Sequence, residues 1–164
     1  MSAPQTSAYR DAMARLGAAV TIVTTGTLES PVGFTASAVC SVTDTPPTVL
    51  VCLNRNSRAR AFFHQGASMC VNVLSSTQQD LANHFASPNS MEDRFAQGHW
   101  SSLTTGAPVL NEALVNLDCE ISQIAEVGTH SVLFGLVRAL CNHTTANGLV
   151  YFSRAYHSLP QAPG

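Results

Sequence analysis

Apolar positions along this chain fall in short, β-branched runs separated by small polar residues and turns, and helical spacing is confined to brief stretches. Tyr9, Met13 and Leu16 recur at i, i+4 and i+7, which predicts a short amphipathic helix over one end of the fold. Residues 18–25 (AAVTIVTT) read as a strand, and 26–31 as the hairpin that returns the chain to Val32. Residues 57–63 (SRARAFF) predict a helix capped by Ser57 and stopped at Gly66. A strand follows at 68–74, and Ser76 with Gln79 offers a capping box opening a helix through Leu81 and Phe85. Residues 87–106 are irregular apart from a helical piece at 91–95 (MEDRF). The last third reads as three long strands, 113–126, 129–142 and 148–153, lengths that suit a curling, twisted sheet. This order predicts a mainly β fold, a barrel with short helices plugging its ends, and not a βαβ sandwich.

Residues 33–54 (GFTASAVCSVTDTPPTVLVCLN) break the pattern in an informative way. The small residues Thr35, Ala36, Ser37, Ala38 and Ser41 bury little apolar area, but they let a flat ligand approach the backbone and its amides closely. A stiff polar turn at 43–47 follows, then the β-prone run VLVCL ending at Asn54. Such a segment is either one wall of a ligand groove or a tightly packed barrel corner.

Composition narrows the choices. At 164 residues a single domain, 1–164 with a core over about 9–159, is expected, long enough to bury roughly 70% of its unfolded surface. Charged residues are only 11% of the chain, so part of its surface is expected to lie against a partner subunit. All eight basic residues are arginines; without lysine, Schiff-base chemistry on a side-chain amine is excluded. The net charge of −2 and the absence of a basic block argue against nucleic acid, and the short apolar runs against a membrane span. The opening MSAPQTSAYRDAM has no basic stretch followed by an apolar one, so no secretory signal is expected and the cytoplasm is the default location. Cys40, Cys52, Cys70, Cys119 and Cys141 are widely spaced, form no metal-site pattern, and read as reduced, buried small hydrophobes. His64, His84, His99 and His143 read as surface or helix-end residues, and no metal is expected.

No G-x-G-x-x-G, Walker A, G-x-S-x-G or H-E-x-x-H occurs, which removes the main signals of four large enzyme classes. Three polar clusters remain in an apolar chain: residues 35–41, Gly128-Thr129-His130, and 153–157 (SRAYH). Together with 33–54 and 91–95, and in the same order, these resemble the signatures of the small flavin reductase family. Its members are the reductase components of two-component flavin-dependent monooxygenases, such as those serving 4-hydroxyphenylacetate, chlorophenol and pyrimidine oxygenases. The likeness runs from about Tyr9 to Leu159.

That resemblance implies an FMN-binding split β-barrel of Greek-key type, a homodimer, and reduction of free FMN or FAD by NADH, or by NADPH. The reduced flavin then passes, by diffusion, to a separate oxygenase acting on an aromatic or heterocyclic compound. Carried onto this sequence, Thr35, Ala36 and Ser37 line the isoalloxazine edge with backbone N–H groups and hydroxyls, stabilising charge that builds at N1 and the C2 carbonyl. Ser41 and Val42 continue that wall. Asn54, Arg55 and Ser57 meet the ribityl chain and phosphate, with Ser57 at a helix N-terminus as anion site. Phe85 and Ala86 lie near the flavin or its AMP part. Gly128 and His130 face the nicotinamide, His130 as the catalytic residue, and Arg154, Tyr156 and His157 close the site.

Plainer alternatives stand beside these assignments. Residues 35–41 also read as barrel packing, His130 as a strand-end histidine bonded to backbone, and Arg154 as part of an ion pair with Glu120 or Glu126. Glu92 and Arg94 read as solvated or paired. A flavin-binding module without reductase activity, a sensor or store, is the alternative function; it would have no use for 128–130 or 154–157. A relative that oxidises pyridoxamine phosphate is disfavoured by the missing lysines.

Overall fold

The computed structural model describes residues 2–143 and 146–163. Its main feature is a seven-stranded antiparallel sheet. In chain order the strands are β2 (Thr21–Gly26), β3 (Pro31–Ala36), β4 (Val39–Asp44), β5 (Pro47–Asn54), β6 (Ser68–Val73), β9 (Val115–Val127) and β10 (His130–Asn142). They lie in the order β3-β2-β6-β9-β10-β5-β4, so β3 and β4 are the two end strands. A three-stranded sheet joins β1 (Ala18–Ala19), β11 (Gly148–Phe152) and β12 (Ala155–Leu159), and β7 (Trp100–Ser102) pairs with β8 (Pro108–Leu110). The helices are short: α1 (Thr6–Met13), α2 (Gln79–Ala86) and α3 (Met91–Phe95). The mainly β architecture with short helices is as the sequence predicts. No helix among the described residues is long and apolar enough to cross a membrane.

The large sheet curls around one core. Val32, Phe34 and Ala36 of β3 pack in the same cluster as Val49, Val51 and Leu53 of β5, although these strands stand near opposite ends of the sheet. Curling is eased by irregular register between β9 and β10 at Phe134/Gly135 and at Val137/Ala139. β2 is buried on both faces: Val23 faces this core, while Ile22 joins Leu74, Leu81, Phe85 and Leu110 in a second. That explains its unbroken β-branched run. β5 is covered on one face only and therefore alternates, with Val49, Val51 and Leu53 buried and Leu50, Cys52 and Asn54 turned away.

Two local expectations shift. The capping box is Ser75 with Gln78, one residue earlier than expected, because Ser76 already spends its N–H on the Asn147 carbonyl. The helix expected after Ser57 is a single 3-10 turn, Arg60–Phe62. Ala59 and Phe63 are both buried in the main core, and the Arg60 guanidinium folds back onto the Phe63 carbonyl (2.8 Å), ending the turn. Of the five cysteines only Cys70 and Cys119 are buried, whereas Cys40 is exposed. Burial, then the nearby Asp118 carboxylate, pushes the Cys119 thiol up to about 12, and the same causes raise Cys70, so both are inert.

Candidate functional site

A cleft of about 390 Å³ opens where β3 and the end of β5 meet the C-terminal end of α2. Phe34 to Ala38 form one wall; Cys52, Leu53, Asn54 and Ser57 form another; Phe85, Ala86, Arg94 and His130 complete it. Eight of the residues expected in a site are thereby brought together: Thr35, Ala36, Ser37, Asn54, Ser57, Phe85, Ala86 and His130. β3 pairs only with β2, so part of its backbone is left free to bond a ligand.

The polar groups divide into committed and available ones. The Thr35 hydroxyl is spent: it donates to the Ala82 carbonyl (2.7 Å), tying β3 to α2. Ser37 is exposed and its hydroxyl has no hydrogen bond among the described residues. Asn54 accepts the Asn56 N–H (2.9 Å) through Oδ1, which leaves its amide NH2 as donor. Ser57 accepts the Ala59 N–H at 3.3 Å. With only a 3-10 turn behind it, Ser57 offers turn amides in place of the helix N-terminus expected there.

His130 opens β10 at the register position shared by Asn54 and Val127. Its Nδ1 lies 2.9 Å from the Thr129 hydroxyl, leaving Nε2 for a ligand. Gly128 makes the preceding turn with φ +56°, a conformation that suits glycine. A Cβ there would meet nothing within 4 Å, and Gly128 does not line the cleft.

Arg55 is not in the cleft. Its backbone N–H donates to Thr129, and its guanidinium reaches the Gly128 carbonyl (3.3 Å) and Glu126 (3.3 Å). Glu126 also takes Arg60 at 2.8 Å and the Ser131 hydroxyl at 2.8 Å. These hydrogen bonds, from Arg60 and then Ser131, hold its carboxyl below the usual range. Arg55 thus fastens the turn before His130, and the structure does not bring it into the cleft with Asn54 and Ser57. Ser41 and Val42 sit on the exposed end strand β4 and do not line the cleft, whose small-residue wall ends at Ala38 where the chain turns into that strand.

Arg154 and Tyr156 line a second cleft of about 350 Å³ that shares Thr35, Ser37 and Ala86 with the first. Arg154 pairs with Asp11 of α1, and not with Glu120, which holds Arg138, or with Glu126. It stands with Ser153 in the two-residue turn of the β11–β12 hairpin, both at positive φ. The Tyr156 hydroxyl donates to Asn83 (3.0 Å), and burial, then Tyr151, raises its pKa. His157 is exposed on β12, its ring bonded to the Phe152 carbonyl, and it lines neither cleft.

Sequence reasoning missed Arg94. Its sequence context suggests a solvated or paired side chain, yet it is 9% exposed. Its Nη1 donates to the Gly33 carbonyl (2.7 Å) and its Nη2 to the Ser87 carbonyl (2.8 Å), so one guanidinium bridges β3 and the end of α2. Its Nε is buried without a partner. Burial, then the neighbouring Arg58, lowers its pKa. Cys52 was missed too, although the alternation of β5, which places it on the face of Asn54, was a signal that could have found it.

The small-residue wall, the flanking Phe85, the free backbone and amide donors and the absence of any carboxylate suit a flat, hydrogen-bonding ring with an anionic tail. Comparison with known proteins points the same way. The family profile described as "Flavin reductase like domain" matches residues 13–160. The FMN reductase (NADH) RutF of Escherichia coli K12 is 53% identical over 151 residues, covering 92% of each chain. The NADH:FAD oxidoreductase SgcE6 of Streptomyces globisporus C-1027, solved with NAD and FAD fragments, superposes with a TM-score of 0.88 at 27% identity. It covers 99% of this chain and 97% of that one. A candidate flavin reductase from Haemophilus somnus gives a TM-score of 0.92 at 49% identity, covering 95% of this chain and 100% of that one.

Proposed function

The chain belongs to the flavin reductase-like family, and from that premise we propose that the 390 Å³ cleft holds the isoalloxazine of FMN or FAD for reduction by NADH. The chain is an NADH-dependent flavin reductase, with a relative of that named activity covering 92% of it at 53% identity. The observation that carries the site assignment is the meeting of residues 34–38 with Asn54, Ser57, Phe85 and His130 around one cleft.

When bound, the flavin supplies the hydride-accepting chemistry. The residues present position it. The 34–38 wall takes the ring, Asn54 and Ser57 the ribityl and phosphate, and Phe85 and Ala86 the flank. His130, oriented through Thr129, would hold the nicotinamide by its carboxamide or pyrophosphate and so align it for hydride transfer. Tyr156 and Arg154 in the second cleft hold what extends beyond the ring, the dinucleotide or the AMP half of FAD. Gly128 keeps the approach open. NADPH is the lesser donor in this reading. Reduced flavin is released to a separate monooxygenase acting on an aromatic or heterocyclic compound, in the cytoplasm.

The fold in this reading is a split barrel, and the chain a homodimer. Leu50, Cys52, Val132, Phe134 and Leu136 form a half-exposed apolar face on paired strands, outside the core, and a second copy covers it. Sedimentation is expected to give twice the 17.3 kDa chain mass, and Phe134→Glu a monomer; a monomeric wild type would refute the dimer.

Mixing protein, NADH and FMN and following loss of the nicotinamide absorbance tests the activity. Flavin that binds without any acceleration over buffer would favour the binding-module alternative instead.

A further inference from the structure

Arg94 bears on the redox balance of the cleft, an inference that rests on the flavin reading above. The cleft has one buried guanidinium and no carboxylate among its lining residues. Arg94 makes no ion pair among the described residues, and neither does the neighbouring Arg58. A guanidinium keeps its proton in a protein, so the cleft wall carries a standing positive charge. The charge is held in place by two backbone carbonyls, its Nε is left without a partner, and no carboxylate among the described residues pairs with it.

We propose that Arg94 is the fixed charge that biases this cleft toward the reduced, anionic form of the flavin. Oxidised isoalloxazine is uncharged. Transfer of a hydride from nicotinamide C4 to flavin N5 breaks one C–H bond, forms one N–H bond, and moves two electrons; the dinucleotide leaves oxidised and the ring gains a negative charge at N1 and the C2 oxygen. A cation in the wall binds that charged ring more tightly than the neutral one, and the difference in affinity is the rise in reduction potential. The seating of Arg94 favours action on the ring by its field. One N–H on each Nη is already spent on Gly33 and Ser87, and Nε is buried, so the side-on grip through Nε and Nη is not available to a phosphate.

The test compares Arg94→Gln, which removes the charge but keeps an amide donor, with Arg94→Lys, which keeps the charge but loses the two-carbonyl bridge. Binding of oxidised flavin is read by fluorescence quenching and the potential of bound flavin by dye equilibration, each with FMN and with riboflavin. Arg94→Gln is expected to weaken reduced flavin about tenfold more than oxidised flavin, a fall of about 30 mV for a two-electron couple, with both FMN and riboflavin. Arg94→Lys is expected to keep the wild-type ratio within about twofold. Equal weakening of both redox forms by Arg94→Gln, or the same shift in Arg94→Lys, would make Arg94 a structural clamp and overturn the proposal. A loss confined to FMN would assign it to the phosphate and overturn it as well. Should Arg94→Gln not fold, the wild type decides: flavin bound at or above its free potential supports the charge, and a lower potential refutes it. Failure of the wild type to oxidise NADH would instead strike the assigned function, since these ratios are measured with dithionite as reductant.

Discussion

Gly33→Val is expected to lower Tm by about 2 to 12 °C and to weaken FMN binding more than tenfold, because it fills a contact on which both the fold and the cleft depend. A Cβ at Gly33 would stand 3.0 Å from Phe95 Cζ, 3.1 Å from Phe85 Cε1 and 3.3 Å from Thr24 Cγ2. None of the three can yield freely. Phe85 and Phe95 stack edge-to-face at 5.1 Å, and Trp100 packs on both, at 5.7 and 4.7 Å. Thr24 is fully buried between β6 and β8. Overpacking of this kind costs about 1–3 kcal/mol. Phe85, one of the two rings that must give, lines the cleft, so the flavin ring's flank shifts with it. Thermal unfolding followed by circular dichroism, together with FMN titration, checks both parts. An unchanged Tm would show that the aromatic cluster relaxes, and unchanged FMN affinity would place the ring away from Phe85.

His130→Ala is expected to lower kcat/KM for NADH about a hundredfold while leaving FMN affinity within about twofold of wild type. The imidazole is exposed at the start of β10, bonded through one nitrogen to Thr129, and contributes to no hydrophobic cluster, so its removal leaves the fold intact. What is lost is the orientation of the incoming nicotinamide, and misplacing a reacting ring by about 1 Å can cost a hundredfold. Steady-state kinetics with varied NADH at saturating FMN, set beside a flavin titration, separates the two effects. A large loss of flavin affinity would mean that His130 packs on the flavin, and an unaltered NADH profile that the dinucleotide binds elsewhere.

Much of the fold was legible because strand formation is a local steric preference. The run at 68–74 and the long final strands lie where the sequence predicts them, within a residue or two, whereas the strand expected at 18–25 divides at Val20 into β1 and β2, which join different sheets. The small-residue wall was legible for the same reason: Thr35, Ala36 and Ser37 advertise close backbone approach wherever they sit. The segment after Ser57 was not. Its local signals favour a helix, but burying Ala59 and Phe63 in the main core and fastening Arg60 to Ser131 and Glu126 leave room for one turn only. Arg55, Ser41, Val42 and His157 were placed in the site by motif, whereas the structure spends or exposes each of them elsewhere.

By itself the amino-acid order determined a β-rich chain with short helices, free of lysine and of long apolar helices, and a stretch of small side chains flanked by apolar strands. Those properties follow from alternation, branching at Cβ and side-chain volume, which act between neighbours in sequence. Only the tertiary structure decided which polar groups meet at the cleft. Arg94 reaches Gly33 across 61 positions and Thr35 reaches Ala82 across 47, and nothing within either local segment specifies its distant partner. A guanidinium becomes a buried charge, or stays a solvated one, according to what the whole chain folds around it.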